Sequence, residues 1–360
     1  MTDPTAPGQT SPDQIAPDQT APDRTALPCA AVAHWLATRD VAVEPPLSAS
    51  VIAGGRSNLT YRIADAAGAQ WVLRRPPLSG VIASAHDVLR EHRIMAALAG
   101  TAVPVPAMVA ACDDPDVIGV PFFVMDYVDG VVLRDQATAE AELTVTARAA
   151  VGASLVDALA ALHATDPAKA GLASLGKGTG YVGRQLARWE RQLERLGIPE
   201  DAGMHDVLVR LQASIPEQRE VTIVHGDFRP GNVIVGPDGR VRALLDWELA
   251  TLGDPLADLG WLMAYWGAPG DGLTQPVPTR AAGFEPREQL SARYAQLTGR
   301  PLGDLSFYLA FALWRLAAII AGVNARARMG AYGTGLVDVA DDRVKQLTEA
   351  ARAATEVAGR

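Results

Sequence analysis

The order of apolar and polar positions predicts strands in the first third of the chain and helices in most of the rest. Short runs of branched and aromatic residues between turn residues indicate strands. They are Val51–Ala53, Leu59–Ile63, Trp71–Arg74 and Phe122–Met125. After about residue 131 the apolar residues recur at helical spacing, as in Val151, Leu155, Leu159 and Leu162 before His163. The pattern therefore predicts an α+β chain with a smaller β-rich part and a larger, mainly helical part.

A second group of short strands interrupts the helical part. Val221–Val224, Asn232–Val235 and Val241–Leu245 are apolar runs, and a Gly-Pro-Asp-Gly turn at 236–239 separates the last two. This arrangement predicts a hairpin. It places residues 225–232 on a loop and Asp246 at a strand end, so that side chains nineteen positions apart can converge.

The loop carries residues suited to phosphoryl transfer. It reads His-Gly-Asp-Phe-Arg-Pro-Gly-Asn from 225 to 232, and Asp246 follows fourteen positions later. In kinase chemistry an Asp accepts the proton of the attacking hydroxyl, while an Asn five positions on and a further Asp hold Mg²⁺. Asp227, Asn232 and Asp246 have that order and spacing. The alternative is a chance match on an ordinary hairpin loop, and the agreement with the predicted strands disfavours it.

Two segments of the chain resemble a known family. VHGDFRPGNVIV and LLDWELATLGDPLADLGWL are similar to the catalytic and metal-binding segments of the aminoglycoside phosphotransferase and choline kinase superfamily. They resemble most the kinase-like branch attached to acyl-CoA dehydrogenases. The resemblance implies a bilobal, protein-kinase-like fold with a nucleotide-binding N-lobe at 28–127 and a catalytic and acceptor-binding C-lobe at 128–360. It also implies transfer of the γ-phosphate of Mg-ATP to a small-molecule hydroxyl, with GTP as an open alternative.

The resemblance extends to a nucleotide site in the N-lobe. A glycine loop lets backbone N–H groups approach phosphates, Arg74 stands where many relatives have a phosphate-binding Lys, and Glu91 would pair with it from a helix at about Ser84–Leu98. The loop as a structural hairpin and Glu91 as a solvated residue remain alternatives. The implied nucleotide-binding residues are Gly54, Gly55, Ser57, Asn58, Arg74, Glu91, Met125, Asp126 and Val128.

Acceptor binding is expected in the helices after Asp246, where Trp261 and Trp266 are candidates. Arg315 and Arg326 lie eleven positions apart on a predicted helix, which places them on one face. They would either form structural salt bridges or receive a phosphate or carboxylate of the acceptor. Residues 251–360 contain eleven acidic and eleven basic residues, which disfavours a polycationic acceptor such as an aminoglycoside.

Composition narrows the class of protein. The formal net charge of -9 argues against a general binder of nucleic acid or anionic membrane. The longest apolar stretch, Leu309–Val323, is short for a membrane span and contains Arg315. Two cysteines and an N-terminus without a secretory signal predict a cytoplasmic protein. Residues 1–27, rich in Pro, Asp, Thr and Ala, predict a disordered tail. The oligomeric state stays open.

Several other residues have expected supporting roles. His225 should brace the loop through hydrogen bonds, Asp258 should stabilise it, and His163 should be a core or capping histidine. Three alternative functions also remain: an antibiotic phosphotransferase, a catalytically silent nucleotide-binding regulator, and a protein kinase. The protein kinase is disfavoured because the chain lacks recognisable D-F-G and A-P-E segments.

Overall fold

The computed structural model describes residues 26–54, 58–78, 87–197, 202–267, 277–303, 305–329 and 341–358. Gly55, Ser57 and nearly all of the predicted tail lie outside these ranges, so those predictions remain predictions. Within them the chain forms a five-stranded antiparallel sheet followed by a mainly helical region. The predicted bilobal α+β, kinase-like fold is confirmed. The division into domains stays a prediction.

The N-lobe is a sheet covered on both faces. Its strands follow the order β1-β2-β3-β5-β4. The elements are α1 (Cys29–Ala37), β1 (Ser48–Gly54), β2 (Leu59–Ala64), β3 (Gln70–Arg75), α2 (Val88–Leu98), β4 (Met108–Cys112), α3 (Pro115–Ile118) and β5 (Phe122–Asp126).

Strand β5 shows why its sequence is apolar without alternation. Phe122 and Val124 pack in a cluster with α1 and α3, whereas Phe123 and Met125 pack in a cluster with α2. Successive side chains of a strand point to opposite faces, so both sets are buried. The first turn of α2 is set by Asp87, whose side chain accepts a hydrogen bond from the Arg90 N–H. The described helix therefore begins at Val88, four positions after the predicted start.

The C-lobe consists of helices around two small strand pairs. Its helices are α4 (Gln136–Glu142), α5 (Val145–Ala164), α6 (Tyr181–Arg195), α7 (Ala202–Ala213), α8 (Pro255–Ala264), α9 (Arg287–Thr298), α10 (Leu305–Arg328) and α11 (Asp341–Ala358). Its strands are β6 (Thr222–Val224), β7 (Val233–Val235), β8 (Val241–Leu244) and β9 (Thr251–Gly253). The predicted hairpin is the β7–β8 pair, and β6 pairs with β9. The loop at residues 225–232 therefore lies between two separate strand pairs.

Helices α5 and α10 are long and apolar enough to cross a membrane by length and composition alone. Their most apolar windows have mean hydropathies of 1.5 and 1.7, and 56% and 72% of those windows are buried within the fold. A large buried share is typical of core helices. The Leu309–Val323 stretch is thus part of a helix longer than the apolar run suggested.

The two lobes are joined by packing and by one arginine. Met95 of α2 and Phe123 of β5 share a hydrophobic cluster with Leu155 of α5. Arg90 of α2 donates hydrogen bonds to the carbonyl oxygens of Glu248, Leu175 and Ala250 in the C-lobe, the first at 3.2 Å. Helix α2 is therefore fixed to the C-lobe although it packs on the N-lobe sheet.

Candidate active site

The backbone of the catalytic loop, defined as residues 225–232, is fixed from below by Asp258 of α8. The Asp258 carboxylate accepts the N–H groups of His225 at 2.6 Å and Gly226 at 2.9 Å. Gly226 has φ +81, and a Cβ there would lie 2.7 Å from the Leu249 carbonyl oxygen. Only glycine fits this conformation and this space. The loop is thus held in one path before any catalytic side chain is considered.

Asp258 is itself held by a buried histidine. His163 Nε2 lies 3.4 Å from its carboxylate, and His163 Nδ1 lies 2.7 Å from the Tyr294 hydroxyl. Burial lowers the pKa of His163. Burial would raise the pKa of Asp258, but the hydrogen bond and charge of His163 and the loop N–H groups lower it overall. The structure confirms His163 as a core residue and Asp258 as the acid that stabilises the loop.

His225 links Asp227 to the end of β8. Its Nδ1 accepts the Asp227 N–H at 3.3 Å, so the proton of the neutral ring lies on Nε2, which donates to the Leu245 carbonyl oxygen at 3.0 Å. The ring packs against Trp247 with centroids 4.7 Å apart. The predicted bracing role of His225 is confirmed, since its ring links the Asp227 backbone to the residue before Asp246.

The Asp227 carboxylate accepts hydrogen bonds from three side chains. Oδ1 accepts the Trp261 indole N–H at 2.6 Å. Oδ2 accepts from Asn232 Nδ2 at 2.6 Å and from Arg229 Nε at 3.2 Å. Asn232 also donates to the Asp227 carbonyl oxygen at 2.9 Å. The orientation of the carboxylate is therefore set before a substrate binds.

Arg74 of β3 connects the two lobes at the site. Its Nε lies 3.2 Å from the Glu91 carboxylate, and its Nη2 lies 2.8 Å from Asp246 Oδ1. The predicted Arg74–Glu91 ion pair is present, and the planar fork of arginine lets one side chain reach both acids. Asn58 donates to Glu91 at 3.0 Å, so its side chain positions that acid.

The acids on this side of the site are difficult to ionise together. Burial, reinforced by the charges of Asp246 and Glu248, raises the pKa of Glu91 to about 7, although Arg74 opposes this. Burial and the charge of Asp246 raise the pKa of Glu248 to about 6. Glu248 Oε2 is buried and has no hydrogen-bond partner in the described ranges. Three carboxylates thus surround a single arginine.

A cavity of about 320 Å³ lies between the lobes and ends at this charged group. At one end it is lined by the last residues of β5 and the segment that follows, here called the hinge, which includes Met125, Asp126 and Val128. Its other end is lined by Arg74, Glu91, Asn232 and Asp246. Among the described residues, the Val128 N–H has no hydrogen-bond acceptor. A planar base at the hinge and phosphates at the charged end would fit this distribution. Gly54 ends β1 opposite Leu59, next to residues outside the description.

The donor set at the charged end suits Mg²⁺. Asn232 uses its Nδ2 on Asp227, and Asp246 uses Oδ1 on Arg74, so Asn232 Oδ1 and Asp246 Oδ2 have no hydrogen bond within the described ranges. Both residues line the cavity. Mg²⁺ prefers oxygen ligands and is held by one or two protein groups together with water and phosphates. No cluster of three or more His, Cys, Asp or Glu side chains suited to a metal occurs among those residues.

The four candidate acceptor residues lie in different surroundings in the structure. Trp261 contacts Asp227, as described above. The Trp266 indole donates to the Glu285 carbonyl oxygen at 2.8 Å, and its ring is buried in the core, so its position favours a structural role. Arg315 and Arg326 lie about 16 Å apart along α10, too far to bind one anion together.

Arg315 makes no ion pair among the described residues. It is buried beneath the loop, its Nη2 donates to the Gly226 carbonyl oxygen at 2.9 Å, and its guanidinium lies 4.2 Å from the Trp261 ring centroid. In the described parts of the chain, a carbonyl oxygen and an aromatic face therefore take the place of the acid that the salt-bridge alternative required. The second alternative, binding of an acceptor anion, stays a prediction.

Three arginines near the site gave no clear sequence signal. Arg229 stands inside the loop, where its position two residues after Asp227 was the available hint. Arg90 and Arg343 lie on amphipathic helices, where a charged residue is usually solvated. Their contacts depend on how distant elements pack, which the local sequence does not specify.

Comparisons with known proteins show the family of the chain. The model of the "Phosphotransferase enzyme family" matches residues 48–321. The chain belongs to this family. Enzymes of the family transfer phosphate to hydroxyl groups of small molecules.

Relatives of this phosphotransferase include much longer proteins. It is 35% identical over 285 residues to mouse acyl-CoA dehydrogenase family member 10, covering 77% of this chain and 26% of that protein. It is 32% identical over 294 residues to human acyl-CoA dehydrogenase family member 11, covering 80% of this chain and 37% of that protein. The chain thus spans between a quarter and two fifths of these two relatives.

Solved structures share the fold. A candidate aminoglycoside phosphotransferase from Ralstonia eutropha has a TM-score of 0.75 at 34% identity, covering 92% of this chain and 98% of that one. The macrolide 2'-phosphotransferase MphH from Brachybacterium faecium has a TM-score of 0.56 at 20% identity, covering 90% and 97%. At that lower identity the likeness shows the fold alone.

Proposed function

We propose that the protein is a kinase that transfers the γ-phosphate of Mg-ATP to the hydroxyl of a small-molecule acceptor. One observation carries this proposal. Asn232 and Asp246 present free oxygens to the cavity that Arg74 and Glu91 also line, while Asn232 binds Asp227 on its other side. Metal ligands, a phosphate-binding cation and a base are thereby joined in one group. Phosphoryl transfer needs little more than positioning and charge stabilisation.

The hydrogen bonds of Asp227 indicate which oxygen would act as the base. A carboxylate oxygen has two lone-pair sites. Among the described residues, Oδ2 accepts from both Asn232 and Arg229, whereas Oδ1 accepts from Trp261 alone. The acceptor hydroxyl would therefore donate to the open site of Oδ1 and pass its proton there as its oxygen attacks the γ-phosphorus, and the bond from that phosphorus to ADP would break. Mg²⁺ bound by Asn232 and Asp246 would neutralise phosphate charge.

The acceptor class that we propose first is a hydroxylated acyl thioester. The names of the mouse and human relatives, both members of an acyl-CoA dehydrogenase family, support this choice. The aminoglycoside alternative is supported by the name of the Ralstonia structure, but the arginines around Asp227 are unfavourable for a polycation. The predicted cytoplasmic localisation stays a prediction.

A direct transfer assay tests this function. Purified protein is incubated with Mg-ATP or Mg-GTP and a panel of hydroxyacyl-CoA esters, sugars, amino alcohols, aminoglycosides and macrolides. Mass spectrometry follows the gain of one phosphoryl group. We expect transfer to one acceptor class, lost on chelation of Mg²⁺. Nucleotide binding without transfer to any acceptor would favour the silent regulator, and absence of nucleotide binding would contradict both.

A further inference from the structure

Two arginines flank a pair of aromatic rings next to Asp227. Arg229 contacts the Asp227 carboxylate, and its guanidinium lies 5.2 Å from the ring centroid of Tyr265. The Arg315 guanidinium lies 4.2 Å from the ring centroid of Trp261, and the Trp261 ring lies 5.3 Å from that of Tyr265. The charge of a third arginine, Arg343 of α11, opposes the rise in the pKa of Tyr265.

The charges around these two rings are unequal. Burial and the negative charge of Asp227 raise the pKa of Tyr265 to about 12, while Arg229, Arg315 and Arg343 oppose that rise. Within the described residues, Asp227 is the one carboxylate that forms an ion pair with any of the three arginines. A group of cations with so few acids is costly unless an anion joins it.

Some donors of these arginines have no partner. The Nε atoms of Arg315 and Arg343 are buried and make no hydrogen bond in the described ranges. Arg229 uses Nε on Asp227, and its terminal nitrogens have no hydrogen-bond partner there. The Arg229 side chain is 31% exposed, so a solute can reach it. Buried polar groups normally find partners, which makes these open donors evidence for a ligand.

We propose that Arg229 and Arg315, with added charge from Arg343, form an anion subsite for a phosphate or carboxylate group of the acceptor. This inference rests on the proposed function, because it assigns the chemistry of the acceptor at the same site. Arg229 already contacts the Asp227 carboxylate through Oδ2, so the subsite lies next to the proposed base. An acceptor held there by its anionic group would present a nearby hydroxyl to the base.

The test uses the full-length protein and inorganic anions as probes. The seven tryptophan indole N–H signals are recorded by ¹H–¹⁵N NMR, and the Trp261 signal is identified by its loss in Trp261→Phe. Protein saturated with Mg-AMP-PNP is titrated with inorganic phosphate, and separately with acetate, at constant ionic strength. Saturation prevents phosphate from entering the nucleotide cavity. We expect the Trp261 signal to shift on addition of the anion. The anion that binds with the higher affinity, phosphate or acetate, shows which group the subsite prefers.

Matched variants locate the effect. Arg229→Gln should weaken binding of the anion about tenfold, as expected for loss of a charge-assisted hydrogen bond. Arg343→Gln should weaken it by a smaller factor, because it removes a nearby charge. Lys345→Gln removes a charge from the exposed side of the same helix and should leave the affinity unchanged. No shift in the wild type would overturn the proposal. An equal loss in all three variants would also overturn it, because it would indicate nonspecific screening.

The outcomes separate this inference from the proposed function. Binding of Mg-AMP-PNP is measured first. If the protein does not bind it, the kinase proposal is contradicted. The titration with phosphate or acetate can still be run on nucleotide-free protein, and it then tests the anion subsite alone. If Arg229→Gln lowers the affinity for Mg-AMP-PNP, and phosphate does not bind the nucleotide-saturated protein, then Arg229 binds the nucleotide. The proposed acceptor subsite would then be wrong. With an active acceptor, Arg343→Gln should raise KM for the anionic member of a pair such as glycerol 3-phosphate and glycerol, and leave the neutral member unchanged.

Discussion

The nucleotide side and the acceptor side of the site have opposite charge imbalances. On the nucleotide side Arg74 lies among Glu91, Asp246 and the nearby Glu248, so negative groups exceed positive ones. On the acceptor side Arg229 pairs with Asp227, while Arg315 and Arg343 add positive charge and pair with no carboxylate in the described ranges. Each imbalance favours a ligand of the opposite sign. The difference teaches that one site can select a metal-bound nucleotide on one side and an anionic acceptor on the other.

Replacing the residue between the two sides should have the largest effect. In Asp227→Asn the open Oδ1 site no longer accepts a proton, so kcat should fall by about 10²–10⁴-fold. Mg-ATP affinity should stay near the wild-type value, because Asp227 does not line the nucleotide cavity. Steady-state rates with an active acceptor and calorimetric nucleotide titrations measure both. Near-wild-type turnover would show that the base assignment is wrong.

Trp261→Phe tests the acceptor side while the ring is retained. Loss of the indole N–H removes the 2.6 Å hydrogen bond to Asp227 Oδ1, so the carboxylate loses one of its three restraints. We expect kcat to fall by about tenfold, the equivalent of one strong hydrogen bond. The KM for the nucleotide should not change. An equal rise in both KM values with a lower melting temperature would indicate a purely structural role for Trp261.

Arg74→Lys tests the nucleotide side. A lysine keeps the charge but cannot span Glu91 and Asp246 with a rigid fork, so one of the two contacts should be lost. We expect the KM for Mg-ATP to rise by roughly fivefold, since lysine keeps the charge and the net value of one lost hydrogen bond is about 1 kcal/mol. The acceptor KM serves as the internal control. A change confined to the acceptor KM would contradict the assignment of Arg74 to the nucleotide side.

The smallest predicted effect concerns the pH dependence of stability. Burial raises the pKa of Glu91 to about 7, above the ordinary value of 4.5. A raised folded-state pKa gives stability that is present below about pH 4.5 and is lost as pH rises through about 7. In the absence of nucleotide, the melting temperature of Glu91→Gln relative to that of the wild type should therefore rise by a few degrees between pH 5 and pH 8. A constant difference over that range would contradict the shift.

The sequence predicted the contacts that depend on short spacings. Asp227 and Asn232 lie five positions apart on one loop, and β7 and β8 are neighbours, so local pattern was sufficient for the hairpin and the metal pair. Arg74 and Glu91 could be paired because the resemblance supplied the order of strand and helix. These predictions required knowledge of element order and no long-range packing.

Other contacts could not be predicted because their partners carry no distinctive residue type. Arg315 donates to the Gly226 carbonyl oxygen, and every residue has a carbonyl oxygen. Trp261 reaches Asp227 from a helix that begins 28 positions after it, and its side-chain direction depends on how α8 packs against α10. Trp266, five positions later, faces the core instead. A tryptophan-rich segment therefore identified a region and did not identify the functional side chain.

The attachment of α2 by Arg90 has a consequence for lobe movement. Because Arg90 binds three C-lobe carbonyl groups, α2 should remain with the C-lobe when the N-lobe sheet rotates. Glu91 would then stay in place while Arg74 moves with β3. The hinge axis would thus run between a helix and the sheet that it covers, and opening of the cleft would separate Arg74 from both of its acids at once. Closure of the cleft would therefore bring the phosphate-binding charges together in the same movement.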